Sequence, residues 1–222
     1  MIGVIIPAHN EEALIGRCLA SVQAAAQWPA LHGEEVRIFV ALDRCSDGTA
    51  GIVHEMGATP VEVRHANVGH ARASAAAAAV AAGARWLACT DADSRVPCDW
   101  LSAQTSTGYD AFCGVIDVDD WEDYDASVAR AFRGAGAPVD GHPHVHGANL
   151  GISTPWYARC GGFQRLPAHE DVAIVQALHA LGATIARHAR PVVLTSARRI
   201  ARAPAGFSRY LGQLEAQVSQ GT

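Results

Sequence analysis

Two aspartates separated by one small residue, Asp91 and Asp93, follow directly on the apolar run Trp86, Leu87, Ala88 and Cys89, and Pro97 comes shortly after. Carboxylates at i and i+2 repel each other unless something positive lies beside them. Hard oxygen donors suit a divalent cation that carries phosphate oxygens. A bare D-x-D is more often a solvated acidic turn. The apolar strand leading into this one favours a metal-diphosphate site, because open α/β sheets bind ligands beyond the carboxyl ends of their strands. Asp43 follows a second apolar run and suits the imide of a pyrimidine or a ribose hydroxyl, while Arg72 suits a phosphate. Their plainer readings are a turn former and a solvated residue at a helix start. His142, His144 and His146 alternate, so an extended backbone would turn all three to one side as a ligand set for a transition metal. No cysteine lies at a zinc-like spacing from them. Glu170 and Asp171 open a helical pattern, where acids usually serve as caps. Arg198, Arg199 and Arg202 form a basic patch, either a solvated face or a clamp over a diphosphate.

These residues need elements to hold them. Ile2 to Ile6 reads as a buried strand ended by Pro7, and Asn10 as the N-cap of a helix carrying Leu14, Cys18, Leu19 and Val22 at helical spacing. Val36 to Leu42 is a second strand, followed by the turn from Asp43 to Thr49 and a short helix closed by Gly57. Val61 to Arg64 is a third strand. Asn67, Gly69 and Arg72 then lead into an alanine helix that runs to Gly83, slim enough to lie flat on a sheet. Arg85 to Thr90 is the fourth strand. Alternating strands and helices of this kind make a parallel sheet with right-handed crossovers, which gathers the turns at 7–11, 43–49 and 91–95 along one edge. Further on, Asp110 to Val118 reads as a strand, Trp121 to Arg133 as a helix with acids in its first turn, and Gly134 to Gly141 as a loop. Ala168 to Leu181 reads as a helix, Val192 to Leu194 as an apolar run, and Phe207 to Val218 as a final amphipathic helix.

The 222 residues provide for one sizeable core. Half the residues are hydrophobic, 18% are charged and the net charge is -5, without the basic excess of a nucleic-acid binder. Six cysteines without a C-x-x-C pair are expected to be reduced. The first residues do not read as a signal peptide, and the apolar run from Ala73 to Ala84 is too short to span a bilayer. The expectation is a cytoplasmic protein without a transmembrane segment, with peripheral membrane contact of the tail as a weaker option and the oligomeric state open. Neither G-x-G-x-x-G after the first strand nor a P-loop is present.

Taken in order, P-A-H-N-E at 7–11, L-D-R-C-S-D-G-T at 42–49, Asn67 with Gly69, T-D-A-D at 90–93, H-G-A-N at 146–149, G-G-F at 161–163, Glu170 with Asp171, and S-A-R-R at 196–199 resemble the family 2 glycosyltransferases. The resemblance covers most of the chain. It implies a glycosyltransferase A fold: an α/β, Rossmann-like, mixed but mostly parallel central sheet flanked by helices as a three-layer sandwich. It also implies one glycosyltransferase domain over 1–222, with residues 1–97 as the nucleotide-sugar half and 98–222 as the acceptor and catalytic half. The implied reaction transfers a sugar from a nucleoside-diphosphate donor to an acceptor hydroxyl with inversion, assisted by Mn2+ or Mg2+. Position by position, the resemblance gives Pro7, Glu11 and Asp43 to the nucleoside pocket and Asp91 to the ribose or sugar, with Ala8, Asn10, Arg72 and Ala92 as further nucleotide-sugar-binding candidates. It makes Asp93 the metal ligand and Asp171 the general base. His146, Asn149, Glu170, Arg198 and Arg199 are acceptor or diphosphate candidates. The chain departs from the family pattern at His9, at Arg44 and Cys45, and in lacking Q-x-x-R-W after Asp171. The alternatives are a nucleotidyltransferase on a similar sheet, which should carry a glycine-rich basic loop after the first strand, and a non-catalytic nucleotide-sugar-binding protein.

Overall fold

The computed structural model describes residues 1–134, 138–200 and 206–220. Arg202 and part of the loop expected at 134–141 lie outside the described residues.

Seven strands form one sheet: β1 (Ile2–Ala8), β2 (Val36–Asp43), β3 (Thr59–Val63), β4 (Trp86–Cys89), β5 (Ala111–Asp117), β6 (Leu150–Ser153) and β7 (Ile185–Leu194). Their order is β3-β2-β1-β4-β6-β5-β7. All run parallel except β6, which pairs antiparallel with both β4 and β5. Among the described residues, eight α-helices accompany them: α1 (Ile15–Ala26), α2 (Thr49–Glu55), α3 (Val68–Ala81), α4 (Trp100–Thr105), α5 (Ala126–Gly134), α6 (Thr154–Arg159), α7 (Glu170–Ala180) and α8 (Phe207–Gln220). This is the mixed, mostly parallel, helix-flanked sheet expected from the sequence.

Alternation along β1 sorts the layers. Ile2, Val4 and Ile6 pack with Ile15, Leu19 and Val22 of α1, Val53 of α2 and Trp100 of α4 on one face. Ile5 packs with Ala71, Ala75 and Ala79 of α3 and Ile174 and Leu178 of α7 on the other. The alanine helix does lie close to the sheet, since a Cβ on Gly3 would come within 2.8 Å of the Ala79 Cβ. A smaller third cluster joins α5 to α8 through Val118, Tyr124, Val128, Ala197 and Leu211.

The crevice opens where strand order reverses, between β1 and β4. Their ladder ends at Ile5 and Cys89, with the Thr90 N–H reaching the Ile5 carbonyl at 3.3 Å. Pro7, two residues on, turns the same edge toward a strand that has already ended. A missing N–H costs nothing there.

Several elements differ from the sequence expectation. Asn10 is not an N-cap: its backbone is left-handed at φ 55° and α1 begins only at Ile15. The helix expected from Trp121 begins at Ala126, and its acids at 122, 123 and 125 precede it. β7 starts seven residues before Val192 and continues through Pro191. β6, α4 and α6 were not anticipated, each being only four to six residues long. Among the described residues, no helix is long and apolar enough to cross a membrane.

Candidate active site

The two turns after β1 and β2 are knit into one rim. The Asn10 side-chain oxygen accepts the Ser46 N–H at 2.8 Å, Glu12 accepts the Gly48 N–H at 2.7 Å, and the Glu11 N–H donates to Thr49 Oγ1 at 2.8 Å. Asn10 is therefore a rim fastener and is not among the residues that line the cleft. Asp43 is 4% exposed and accepts three backbone N–H groups, those of His65, Ala66 and Asn67, at 2.8–2.9 Å. Burial pushes its carboxyl up, but these donors outweigh that and hold it below the usual range. Asp43 so ties the end of β2 to the entrance of α3, where Asn67 caps the helix by accepting the His70 N–H at 2.9 Å.

Beyond this rim lies a cleft of about 1040 Å³, at the upper end of small-ligand sites. Pro7, Ala8, Glu11 and Asp43 line it from the first two strand ends, Asp91, Ala92 and Asp93 from β4, and His146, Glu170, Asp171 and Arg198 from the second half. The fold thus brings most of the sequence-derived candidates to one cavity.

β7 delivers Arg198. Its end bridges to Arg95 through a pair of backbone bonds of 2.7 and 3.0 Å, and Ser94 reaches Thr195 at 2.9 Å, so the chain leaves the sheet directly over the D-x-D turn. The guanidinium sits between two acids, on Asp93 through Nη2 and on Glu11 through Nη1 at 2.7 Å. Arg199, by contrast, bonds Asp123 at 2.6 Å and Glu215 at 2.7 Å and lies 4.0 Å over the Tyr124 ring. It locks α8 to the 119–125 segment and does not line the cleft, so it is not a diphosphate contact here.

Arg72 does line the cleft, but two of its three nitrogens are already spent on acids. It is 2% exposed, donates from Nε to Glu170 at 2.8 Å and from Nη2 to Asp91 at 2.5 Å, and its positive charge is already overmatched. Asp91 keeps 35% of its side chain exposed toward the cleft. Its carboxyl is pushed upward by the low polarity of its surroundings, against the pull of Arg72 and with the repulsion of Asp93, Glu170 and Asp171.

Asp171 and Glu170 divide as neighbours on a helix must. Glu170 is buried on Arg72. Asp171 accepts the Gly147 N–H at 2.7 Å and the Val172 N–H at 2.8 Å, and is less deeply buried. The N-cap position of α7 belongs to His169, left-handed at φ 61°, so Asp171 is not the cap. Asn149 is fully buried: its amide N–H groups go to the carbonyls of Val115 and Pro191 at 2.9 Å each, and its oxygen to the Trp100 indole at 3.0 Å. It plugs the irregularity between β5 and β7, where a Cβ on Gly114 would collide with it, and so cannot contact an acceptor or a diphosphate.

His142, His144 and His146 do share a side, but their rings stack at 5.6 and 5.9 Å, which keeps their nitrogens from converging on one ion. Burial and the neighbouring His144 push His146 down to about 4 against the pull of Asp171, so it is neutral at ordinary pH. Among the described residues, no group of three or more His, Cys, Asp or Glu is placed to hold a metal ion. Asp93 offers a hard carboxylate of the kind that suits Mg2+ or Mn2+, and here Arg198 is paired with it.

The model of glycosyl transferase family 2 matches residues 3–161. No curated protein sequence matches the chain. Among solved structures, S. aureus TarS 1–349 in complex with UDP-GlcNAc is 16% identical with a TM-score of 0.68, over 98% of this chain and 66% of that one. A mannosyltransferase from Pyrobaculum calidifontis in complex with GDP-Man and Mn2+ is 19% identical, TM-score 0.65, over 98% and 69%. Glucosyl-3-phosphoglycerate synthase of Mycobacterium tuberculosis is 18% identical, TM-score 0.62, over 99% and 77%. The chain spans just under two thirds of the TarS fragment. At these identities the likeness establishes a shared fold, the glycosyltransferase A type, and the family match over more than half of the residues establishes kinship: the chain belongs to glycosyl transferase family 2.

Proposed function

We propose that the protein transfers a sugar from a nucleoside-diphosphate sugar to an acceptor hydroxyl, with inversion at the anomeric carbon and the help of a divalent cation. The observation that carries this reading is the placement of Asp91 and Asp93 from β4 and Asp171 from α7 on one cleft, with Asp171 fastened by the Gly147 N–H. The complexes of similar fold with UDP-GlcNAc and with GDP-Man and Mn2+ support the same class of donor.

In this reading Pro7, Ala8 and Asp43 wall the nucleoside, and Asp91 and Ala92 face the ribose or sugar. Inverting displacement needs a base on the face of the anomeric carbon opposite the leaving diphosphate. Asp171 takes the acceptor proton. Asp93 would hold Mg2+ or Mn2+ jointly with the diphosphate, and the ion supplies charge neutralisation to the leaving group. Arg198 releases the acids and turns its guanidinium to the diphosphate, matching planar donors to anionic oxygens. His146 lies beside the base on the acceptor side.

The test is calorimetry of UDP and GDP with and without Mn2+, followed by nucleoside diphosphate release from a panel of nucleotide sugars. Metal-enhanced binding of one nucleotide and release from its sugars is the expected outcome. Absence of binding by either nucleotide would overturn the reading.

A further inference from the structure

Arg72 makes one of the most buried charge arrangements in the described structure. Its Nε and Nη2 bridge Glu170, at the start of α7, to Asp91, at the end of β4. Its Nη1 is buried without a hydrogen-bond partner. Gly147 lies against the same guanidinium, so closely that a Cβ there would collide with Nη2 and Cζ. The N–H of Gly147 is the one that holds Asp171. One side chain therefore touches, directly or across one residue, both walls of the cleft.

As a stabilising device this is poor. Burying the charges of Arg72 and Glu170 with one donor left unpaired costs desolvation that apolar side chains of similar size would avoid. What the arrangement does supply is a fixed separation between groups from distant parts of the chain, since the planar guanidinium sets the directions of both bonds. We propose that Arg72 is a positioning residue for the transfer, holding Asp91 on one side and, through Glu170 and Gly147, Asp171 on the other. It acts by setting where the base stands relative to the sugar. The proposal rests on the reading of Asp171 as base.

The test compares wild type with Arg72→Gln, Arg72→Lys, Gly147→Ala and the double variant Arg72→Gln/Gly147→Ala. UDP and GDP binding, melting temperature and nucleoside diphosphate release from nucleotide sugars, with water as acceptor, are measured for each. Misplacement of a reacting group by about 1 Å costs on the order of 10²-fold, so kcat is expected to fall by about that factor in Arg72→Gln and Gly147→Ala while KM and nucleotide affinity change by less than about threefold. Arg72→Lys keeps the charge without the fork and recovers part of the rate. Because both singles act on the same guanidinium contact, the double variant should be no slower than the slower single. Wild-type kcat in a folded Arg72→Gln protein, or losses that multiply in the double variant, would overturn the proposal. If Arg72→Gln does not fold, Gly147→Ala decides alone, since it keeps every charge, and wild-type kcat there is equally fatal. A wild-type protein that neither binds nucleotide nor releases it would instead sink the transferase reading on which the proposal stands.

Discussion

The carboxylates of the cleft differ in what already occupies them, and that difference separates their expected mutational effects. Asp171 spends each oxygen on one backbone N–H and keeps acceptor capacity on both. Replacement by Asn removes proton acceptance and turns one acceptor into a donor facing an N–H. Turnover should fall by about 10²–10⁴-fold, with a stability loss of roughly 1–3 kcal/mol from the unmatched backbone group. Single-turnover release and a melting curve on the same preparation check both, and wild-type turnover would remove the base assignment. Glu170→Gln would transfer the role one residue upstream only if it lost turnover with Arg72 still in place. Asp93 contrasts with both, because its partner is a side chain, the guanidinium of Arg198. In Asp93→Asn the Mn2+-dependent part of nucleotide affinity should vanish while metal-free binding remains, since a neutral amide is a poor ligand for a hard dication. Calorimetry in chelator and in Mn2+ reads the difference, and an unchanged metal increment would reject Asp93 as ligand.

At the scale of elements, α5 and α8 form a unit apart from the two main layers. They share a satellite cluster centred on Leu211, which is fully buried, and Phe132 meets Phe207 edge-on at 5.8 Å. Arg199 pins α8 to the segment before α5. Removing everything after Ser196 would strip this cluster as well as Arg198, so truncation confounds the clamp with folding. Leu211→Ala is the cleaner change. A buried leucine truncated to alanine costs about 2–5 kcal/mol, and here the loss should be confined to α5 and α8. Hydrogen exchange should show those two helices losing protection while β1, β2 and β4 keep theirs. Equal loss across the sheet would show that the satellite is part of the main cooperative unit.

Across the whole molecule, protonation links the second half to stability. His146 falls from an unfolded value near 6.5 to about 4 in the fold, so between those pH values the unfolded chain binds a proton that the folded one refuses. Its contribution is full above about pH 6.5 and is lost as pH falls toward 4. The raised carboxyl of Asp91 acts with the opposite sign in an overlapping range, so the slope of the wild type alone is not diagnostic. The difference between wild type and His146→Gln is: it should grow in favour of the wild type from pH 4 to 6.5, by an amount on the order of 2 kcal/mol. Asp43, held low by its three N–H donors, contributes above the ordinary value of 3.8 and is lost only at lower pH, outside that window. A difference curve that is flat between pH 4 and 6.5 would mean that His146 is solvated.

The sequence by itself determined the first half of this protein's sheet. Apolar runs that end in polar turns at Pro7, Asp43 and Asp91 require a parallel sheet, and a parallel sheet has only one edge at which to collect them. The alanine helix told its own packing, because small side chains allow a close approach that Gly3 then confirms. In the second half the same reasoning lost its grip. β6 is only four residues long, and nothing in L-G-I-S marks a strand that runs against its neighbours. Asn149 is an acceptor or diphosphate candidate only through the H-G-A-N resemblance, yet the irregular β5–β7 pairing uses its side-chain amide to satisfy the carbonyls of Val115 and Pro191. The different partners of Glu170 and Asp171, and the burial of Arg72, depend on residues that come from elsewhere in the chain. Periodicity reports which residues share a face. Only the tertiary structure brings together α3, α7 and the end of β4, and so decides which charges are spent on one another and which are left to face a ligand.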